Sequence, residues 1–180
     1  LKKWYSEFRT GVNLEIRNKY LDKGNICEDE SILVIAERLS YGWLKKNKAY
    51  FECNFACGTP DILIDSVIDA KNSWDYETFL DSVTSEINFD YWCQLQIYMH
   101  LTGLKTAKLC YILLDTPSSI NYGIQVIWSH MPINERFYSI DVNYDESFIK
   151  ELEIRVKMAR KWLSEYDKLV KSKLGINDNI

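Results

Sequence analysis

Glycine and proline are scarce in this 180-residue chain, seven and three residues respectively. That excludes a collagen-like chain or a string of flexible linkers. Histidine is scarcer still, and His100 and His130 cannot build a multi-histidine zinc site. The five cysteines, Cys27, Cys53, Cys57, Cys93 and Cys110, are odd in number and do not pair into a disulfide pattern. They are read as free thiols in a reducing compartment such as the cytoplasm. Cys53 and Cys57 are close neighbours, but no second pair completes a zinc set. No HExxH, P-loop or GxSxG segment occurs, which sets aside zinc peptidases, P-loop NTPases and serine hydrolases. No run of about 18 apolar residues could cross a bilayer. No charged-then-apolar leader is visible, and a first residue of Leu1 rather than Met leaves room for a natural start upstream. Strong positive charge is also missing. Lys and Arg total 22 against 26 Asp and Glu, a net charge of −4, which speaks against a purely electrostatic coat for nucleic acid.

The charge is unevenly spread. Residues 1–23 hold six Lys and Arg against three acids, and residues 150–173 hold eight against four, so the middle of the chain is the acidic part. Without repeats or linkers, the chain reads as one domain, 1–180, with an N-terminal helical segment over 1–23. Ile32, Ile35, Ala36 and Leu39 follow the i, i+3, i+4, i+7 spacing of an amphipathic helix over 28–44. Residues 49–57 read as a strand, 61–64 and 67–70 as two short strands around a turn at Asp65-Ser66, and 75–87 as loop or short helix. A helix over 89–102 ends at Gly103. Strands follow at 107–114, 124–128 and 136–140, and a long amphipathic helix at 144–173. This order predicts an α/β or α+β fold, a mixed central β-sheet flanked by helices.

One constellation could carry chemistry. Gly58-Thr59-Pro60-Asp61 is followed, eight residues after Asp61, by Asp69-Ala70-Lys71. A tight turn at 65–66 puts these on neighbouring antiparallel strands. Asp69 and Lys71, two apart, share one face, and Asp61 can reach it from the adjacent strand. Ala70 faces the core, with its carbonyl near the acids. Two carboxylates and a carbonyl make the kind of oxygen cage that Mg²⁺ or Mn²⁺ prefers. A neighbouring lysine can orient or deprotonate water, or stabilise charge on a phosphoryl group. The plain alternative is a cross-strand ion pair. Gln94 and Tyr98, at i and i+4, share a helix face. Glu28 opens a helix just after Gly24, where an acid also suits the helix dipole.

The ordered set Gly24…Glu28, Gly58-x-Pro60-Asp61, Asp69-x-Lys71 and Gln94-x-x-x-Tyr98 resembles the PD-(D/E)XK nuclease superfamily. The likeness is to the branch of phage lambda exonuclease and the YqaJ-like viral recombinases, relatives of RecB-type nuclease domains, and it spans about residues 22–170. The resemblance implies a restriction-endonuclease-like core. Glu28, Asp61 and Asp69 would hold one or two Mg²⁺ with the Ala70 carbonyl, Mn²⁺ substituting. Lys71 would position and activate the attacking water, and Gln94 and Tyr98 would organise the site beside it. The implied activity is 5′-to-3′ exonuclease digestion of duplex DNA in phage-type recombination, in the phage or bacterial host cytoplasm. A ring trimer and a single-strand annealing protein as partner come with that branch. The family more often has Glu where this chain has Asp69. Its longer N-terminal region grips the 5′ phosphate and splits the duplex end, whereas little chain precedes Glu28 here.

Other residues are candidates for DNA contact. Arg9 and Arg17 are candidate phosphate ligands, with solvated helix charges as the alternative. Lys45, Lys46 and Lys48 form a basic stretch that could meet phosphates. Trp74, three residues after Lys71, could stack on a base or wedge a duplex end. Glu30 is a rival to Glu28 as the upstream acid, with Glu28 preferred for its spacing from Gly24. Glu52 could support the acids from behind but reads as an edge-strand charge, and His100 reads as a core or surface histidine. Rival readings are an endonuclease or single-strand nuclease with the same site, a non-catalytic DNA-binding subunit of the same fold, and a scaffold in which the motif is accidental.

Overall fold

The computed structural model describes residues 1–12 and 18–176. Contacts divide the chain into two units, one of residues 17–145 and one of residues 1–16 with 146–180.

The larger unit is organised by a four-stranded mixed sheet of order β3-β4-β5-β6, made of β3 (Ile62–Leu63), β4 (Val67–Asn72), β5 (Thr106–Ile112) and β6 (Phe137–Asn143). β3 and β4 are antiparallel around the 65–66 turn, with Ile62 opposite Ile68. β4 and β5 are parallel, with Asp69 opposite Leu109 and Lys71 opposite Tyr111. Parallel neighbours need a long crossover, supplied here by α4 (Tyr76–Thr84) and α5 (Phe89–Thr102). β6 lies antiparallel to β5 on its other side. Strand alternation sends the sheet's side chains into two cores. Ile62, Ile68, Cys110 and Ile112 pack with Ile32, Ile35 and Ala36 of α3 (Glu28–Arg38). Val67, Leu109 and Tyr111 pack with Phe79 of α4 and with Leu95 and Met99 of α5. The fold is therefore α+β, a mixed sheet flanked by helices, as its pattern predicts.

Local chemistry explains where the helices start and stop. Asp75 accepts from the Thr78 backbone N–H at 2.9 Å and Thr78 returns a bond to the Asp75 N–H, a capping box that turns part of 75–87 into α4. Asn88 caps α5 by accepting from Asp90 N–H at 2.9 Å, and Gly103, at φ 78°, ends it. A separate helix, α2 (Lys19–Ile26), runs through Gly24 with Asn18 as its cap.

Three boundaries differ from expectation. The helix expected over 28–44 stops at Arg38, because Ser40 turns left-handed at φ 57°. The strand expected over 49–57 folds back into a hairpin of β1 (Phe51–Glu52) and β2 (Cys57–Gly58), closed by Cys53 N–H to Ala56 C=O at 2.9 Å. Asn54 in the turn suits the reversal. Residues 124–128 make a single bridge, Thr116 with Val126. They cannot join β5, whose two edges are already taken by β4 and β6. The N-terminal helical segment read over 1–23 breaks at Gly11, a residue suited to such an interruption, and residues 13–17 lie outside the described residues.

In the smaller unit α1 (Lys2–Thr10) ends on Gly11 at φ 66°. α6 (Glu146–Leu174) runs 29 residues with i, i+4 ion pairs such as Lys157–Glu153 at 2.7 Å. Tyr5 donates to Asp167 at 2.8 Å and meets Tyr166 edge-on at 5.1 Å. No described helix is long and apolar enough to cross a membrane.

Candidate active site

The sequence pattern brings most of its candidate residues to one place. An open cleft of about 330 Å³ is lined by Glu28, Asp61, Asp69, Ala70, Lys71 and Gln94, with Tyr91 and part of α2. Asp69 and Lys71 stand on one face of β4, and Ala70 turns the other way against the α3-side core. Asp61 reaches across from the segment before β3, where its Oδ2 accepts from the Ala70 N–H at 3.0 Å.

A polar chain runs from strand to helix. Asp69 Oδ2 lies 2.7 Å from Lys71 Nζ, an ion pair outside hydrogen-bond alignment. Lys71 Nζ donates to Gln94 Oε1 at 3.1 Å, and Gln94 Nε2 donates to the Tyr98 hydroxyl at 2.8 Å. Gln94 and Tyr98 share a face of α5 with Tyr91, whose ring lies 4.7 Å from Lys71 Nζ. Tyr91 went unremarked in the sequence, although its spacing from Gln94 and Tyr98 (i, i+3, i+7) is the signal that marks it. The Tyr98 ring needs Gly58, since a Cβ there would stand 2.5 Å from Tyr98 Cε1.

Burial makes the electrostatics severe. Asp69 is 1% exposed. That burial, reinforced by the charge of Asp61 and opposed by Lys71, pushes its carboxyl up to about 6. Asp61 also rises, through burial and the nearby Glu28, against the Ala70 N–H and Lys71. Burial alone would lower Lys71, but Asp69 and then Asp61 outweigh it and hold the ammonium above its ordinary value.

The donor set suits a divalent cation in part. The charge of the half-buried Asp61 raises the proton affinity of the buried Asp69 carboxylate, whose Oδ2 has Lys71 Nζ 2.7 Å away. Such hard oxygens favour Mg²⁺ or Mn²⁺. Glu28 lines the same cleft, but its Oε2 is held by Lys46 Nζ at 2.5 Å. Among the described residues no three His, Cys, Asp or Glu side chains already form a metal cluster. Lys46, read as a DNA contact, is thus the counter-ion of Glu28, a pairing that no local spacing announces. Ser31 and Asn72 tie α3 to β4, Asn72 Nδ2 donating to Ser31 Oγ at 2.9 Å, and so fix where Glu28 starts.

The remaining candidates are more scattered. Trp74 does not line the cleft but stands edge-on, 5.3 Å away, behind Tyr20, which does. Lys19 Nζ lies 4.4 Å from the Trp74 ring centroid. Arg9 pairs with Asp167 at 3.8 Å in the smaller unit, and Arg17 lies outside the described residues. Lys45 and Lys48 sit in the loop ahead of β1. His100 bonds Tyr144 at 3.0 Å, and Glu52 lies on the small hairpin.

No protein-family model matches this sequence, and no curated protein matches it. Solved structures do. A phage-related exonuclease from Haemophilus somnus 129PT superposes with a TM-score of 0.80 at 25% identity, over 94% of this chain and 81% of that one. An alkaline exonuclease from Laribacter hongkongensis gives 0.71 at 16% identity, over 97% of this chain and 84% of that one. The same enzyme in complex with dAMP gives the same score and identity, over 97% and 85%. The four-stranded mixed sheet, its flanking helices and this near-complete superposition make the chain, by fold, a structural relative of the phage-type alkaline exonucleases, the lambda-exonuclease-like branch that its motifs resemble.

Proposed function

We propose that this chain is a metal-dependent deoxyribonuclease that digests duplex DNA from 5′ ends during phage-type recombination. The observation that carries the reading is the run Asp69–Lys71–Gln94–Tyr98 beside Asp61, with Asp69 buried and the others half-buried, polar groups brought together from three separate parts of the chain. A plain surface ion pair needs neither such burial nor such a chain of partners. The likeness to exonucleases supports the same reading, although a fold by itself does not choose a chemistry.

In this reading Asp61 and Asp69, with Glu28 and the Ala70 carbonyl, hold Mg²⁺, and Mn²⁺ can replace it. When bound, the cation supplies Lewis-acid stabilisation of the attacking and leaving oxygens of an in-line displacement. Lys71 stays an ammonium near neutral pH, so its first task is to hold water and the charge developing on the phosphoryl group. Gln94 orients Lys71, and Tyr98 orients Gln94. Glu28 joins the site by releasing Lys46. The proposal extends to a homotrimeric ring, a single-strand annealing protein as partner and a bacterial cytoplasmic setting, the last suited to five free thiols.

The test is a cleavage assay on linear duplex DNA bearing one 5′ phosphate, in Mg²⁺, Mn²⁺ and EDTA, beside Lys71→Ala. Metal-dependent release of mononucleotides, lost in the variant, is expected. Cutting of closed circular DNA would make the enzyme an endonuclease instead. No cleavage of linear, circular or single-stranded DNA with metal present would leave a non-catalytic DNA-binding subunit.

A further inference from the structure

Between α3 and β1 the chain passes through Lys45, Lys46, Asn47 and Lys48 without regular structure. These residues and Leu63 line a shallow pocket of about 310 Å³. Asn47 fastens the loop to the catalytic segment. Its backbone N–H donates to the Asp61 carbonyl at 2.7 Å, and its Nδ2 donates to the Pro60 carbonyl at 3.0 Å. Ala49 N–H bonds back to Asn47 Oδ1 at 3.0 Å, which locks the amide. Lys46 is committed to Glu28. Lys45 and Lys48 make no hydrogen bond or ion pair with any described residue. Three ammonium groups within four residues repel one another, yet in a chain with an excess of acids only one of them is neutralised. Unpaired cations clustered around a concavity favour a polyanion that brings several charges at once.

We infer that the 45–48 loop is a phosphate subsite for the DNA backbone. Lys45 and Lys48 each engage a phosphate of the strand that runs past the cleft, and Asn47 sets the register of that strand to Asp61. The inference rests on the nuclease reading and extends it from the cleft to the strand beyond.

The experiment measures binding of fluorescein-labelled duplex and single-stranded oligonucleotides across a salt series in EDTA, where nothing is cut. Each phosphate contact contributes about 0.9 to the log–log salt slope for duplex and about 0.7 for single strands. Lys45→Gln with Lys48→Gln is therefore expected to flatten the slope by about 1.8 and 1.4 and to weaken binding at low salt. Lys157→Gln with Lys161→Gln makes the same change in net charge on α6, where both lysines already pair with glutamates, and is expected to leave the slope alone. If the wild type binds DNA and the loop variant flattens the slope no more than the α6 variant, the subsite is overturned and the nuclease reading stands. If the wild type binds neither oligonucleotide, both fall. Asn47→Ala tests the register. It is expected to keep the salt slope but to lower cleavage at saturating DNA by about tenfold or more, as misplacement does, and unchanged cleavage would overturn that part.

Discussion

Asp69 carries a charge that its surroundings oppose. It is buried, faces Asp61 across the strand pair and has a single cation, Lys71, within ion-pairing distance. Asp69→Asn removes the charge and keeps the shape. Losing the ion pair with Lys71 is offset by losing a buried carboxylate, so the metal-free melting temperature is expected to move by only a few degrees. Cleavage is expected to fall at least a thousandfold, on the order of 4 kcal/mol of transition-state stabilisation. A melting measurement in EDTA beside a single-turnover assay reads both.

Lys23 poses the opposite problem. Its side chain is fully buried and donates to the Ser73 and Trp74 carbonyls at 2.7 and 3.0 Å and to Thr116 Oγ1 at 2.9 Å. No carboxylate bonds it, and burial pushes it down to about 8, against the distant pull of Cys27, Asp115 and Asp75. The unfolded chain keeps this proton until about 10.5. Between these values the unfolded state binds more protons, so stability from this residue rises as pH rises, by on the order of 3 kcal/mol in all. Urea unfolding of wild type and Lys23→Met at pH 7.5 and pH 10 is expected to show the difference shifting in favour of the wild type. A constant difference would show that Lys23 does not titrate in that window.

At the scale of elements, α5 is the reader of the site. Its face presents Tyr91, Gln94 and Tyr98 to β4, while Leu95 and Met99 bury the neighbouring face. The β1–β2 hairpin packs on this helix, with Gly58 so near the Tyr98 ring that a Cβ there would stand 2.5 Å from Tyr98 Cε1. Gly58→Ala must push the Tyr98 ring aside and break its bond to Gln94. We expect about 1 to 2 kcal/mol of destabilisation and a fall in cleavage of about tenfold or more. Tyr98→Phe should reproduce most of the loss of activity with little loss of stability. If Gly58→Ala cleaves like the wild type, the hairpin does not set the position of Tyr98. The C-terminal end of α5 was legible because Gly103 closes it in the left-handed conformation, and the structure adds Asn88 as the cap at its start. The 49–57 hairpin was not, because a run of aromatic and apolar residues is equally suited to one strand or two short ones.

For the whole molecule, three acids from the acidic middle of the chain, Glu28, Asp61 and Asp69, line one cleft. A divalent cation that binds the folded state alone stabilises it by about 2.7 kcal/mol at a hundred times its dissociation constant. For a chain of this size that is a rise of about 5 to 10 °C in melting temperature. Mg²⁺ is expected to produce the rise in the wild type and not in Asp61→Ala. Equal shifts in both would place the cation elsewhere.

The sequence by itself determined the alternation of elements, the shared face of Asp69 and Lys71, the shared face of Gln94 and Tyr98 and the end of α5 at Gly103, because each depends on residues a few positions apart. Only the tertiary structure decided what meets across long separations. It assigned Lys46 to Glu28, set Trp74 behind Tyr20, buried Lys23 under the Ser73–Trp74 carbonyls and placed Gly58 against Tyr98. It also left 124–128 without a sheet edge, since β4 and β6 had taken both sides of β5. Spacing along a chain fixes which side chains share a face of one element. Which elements then face each other is settled by the packing of two apolar cores against one sheet, and that is a property of the whole chain.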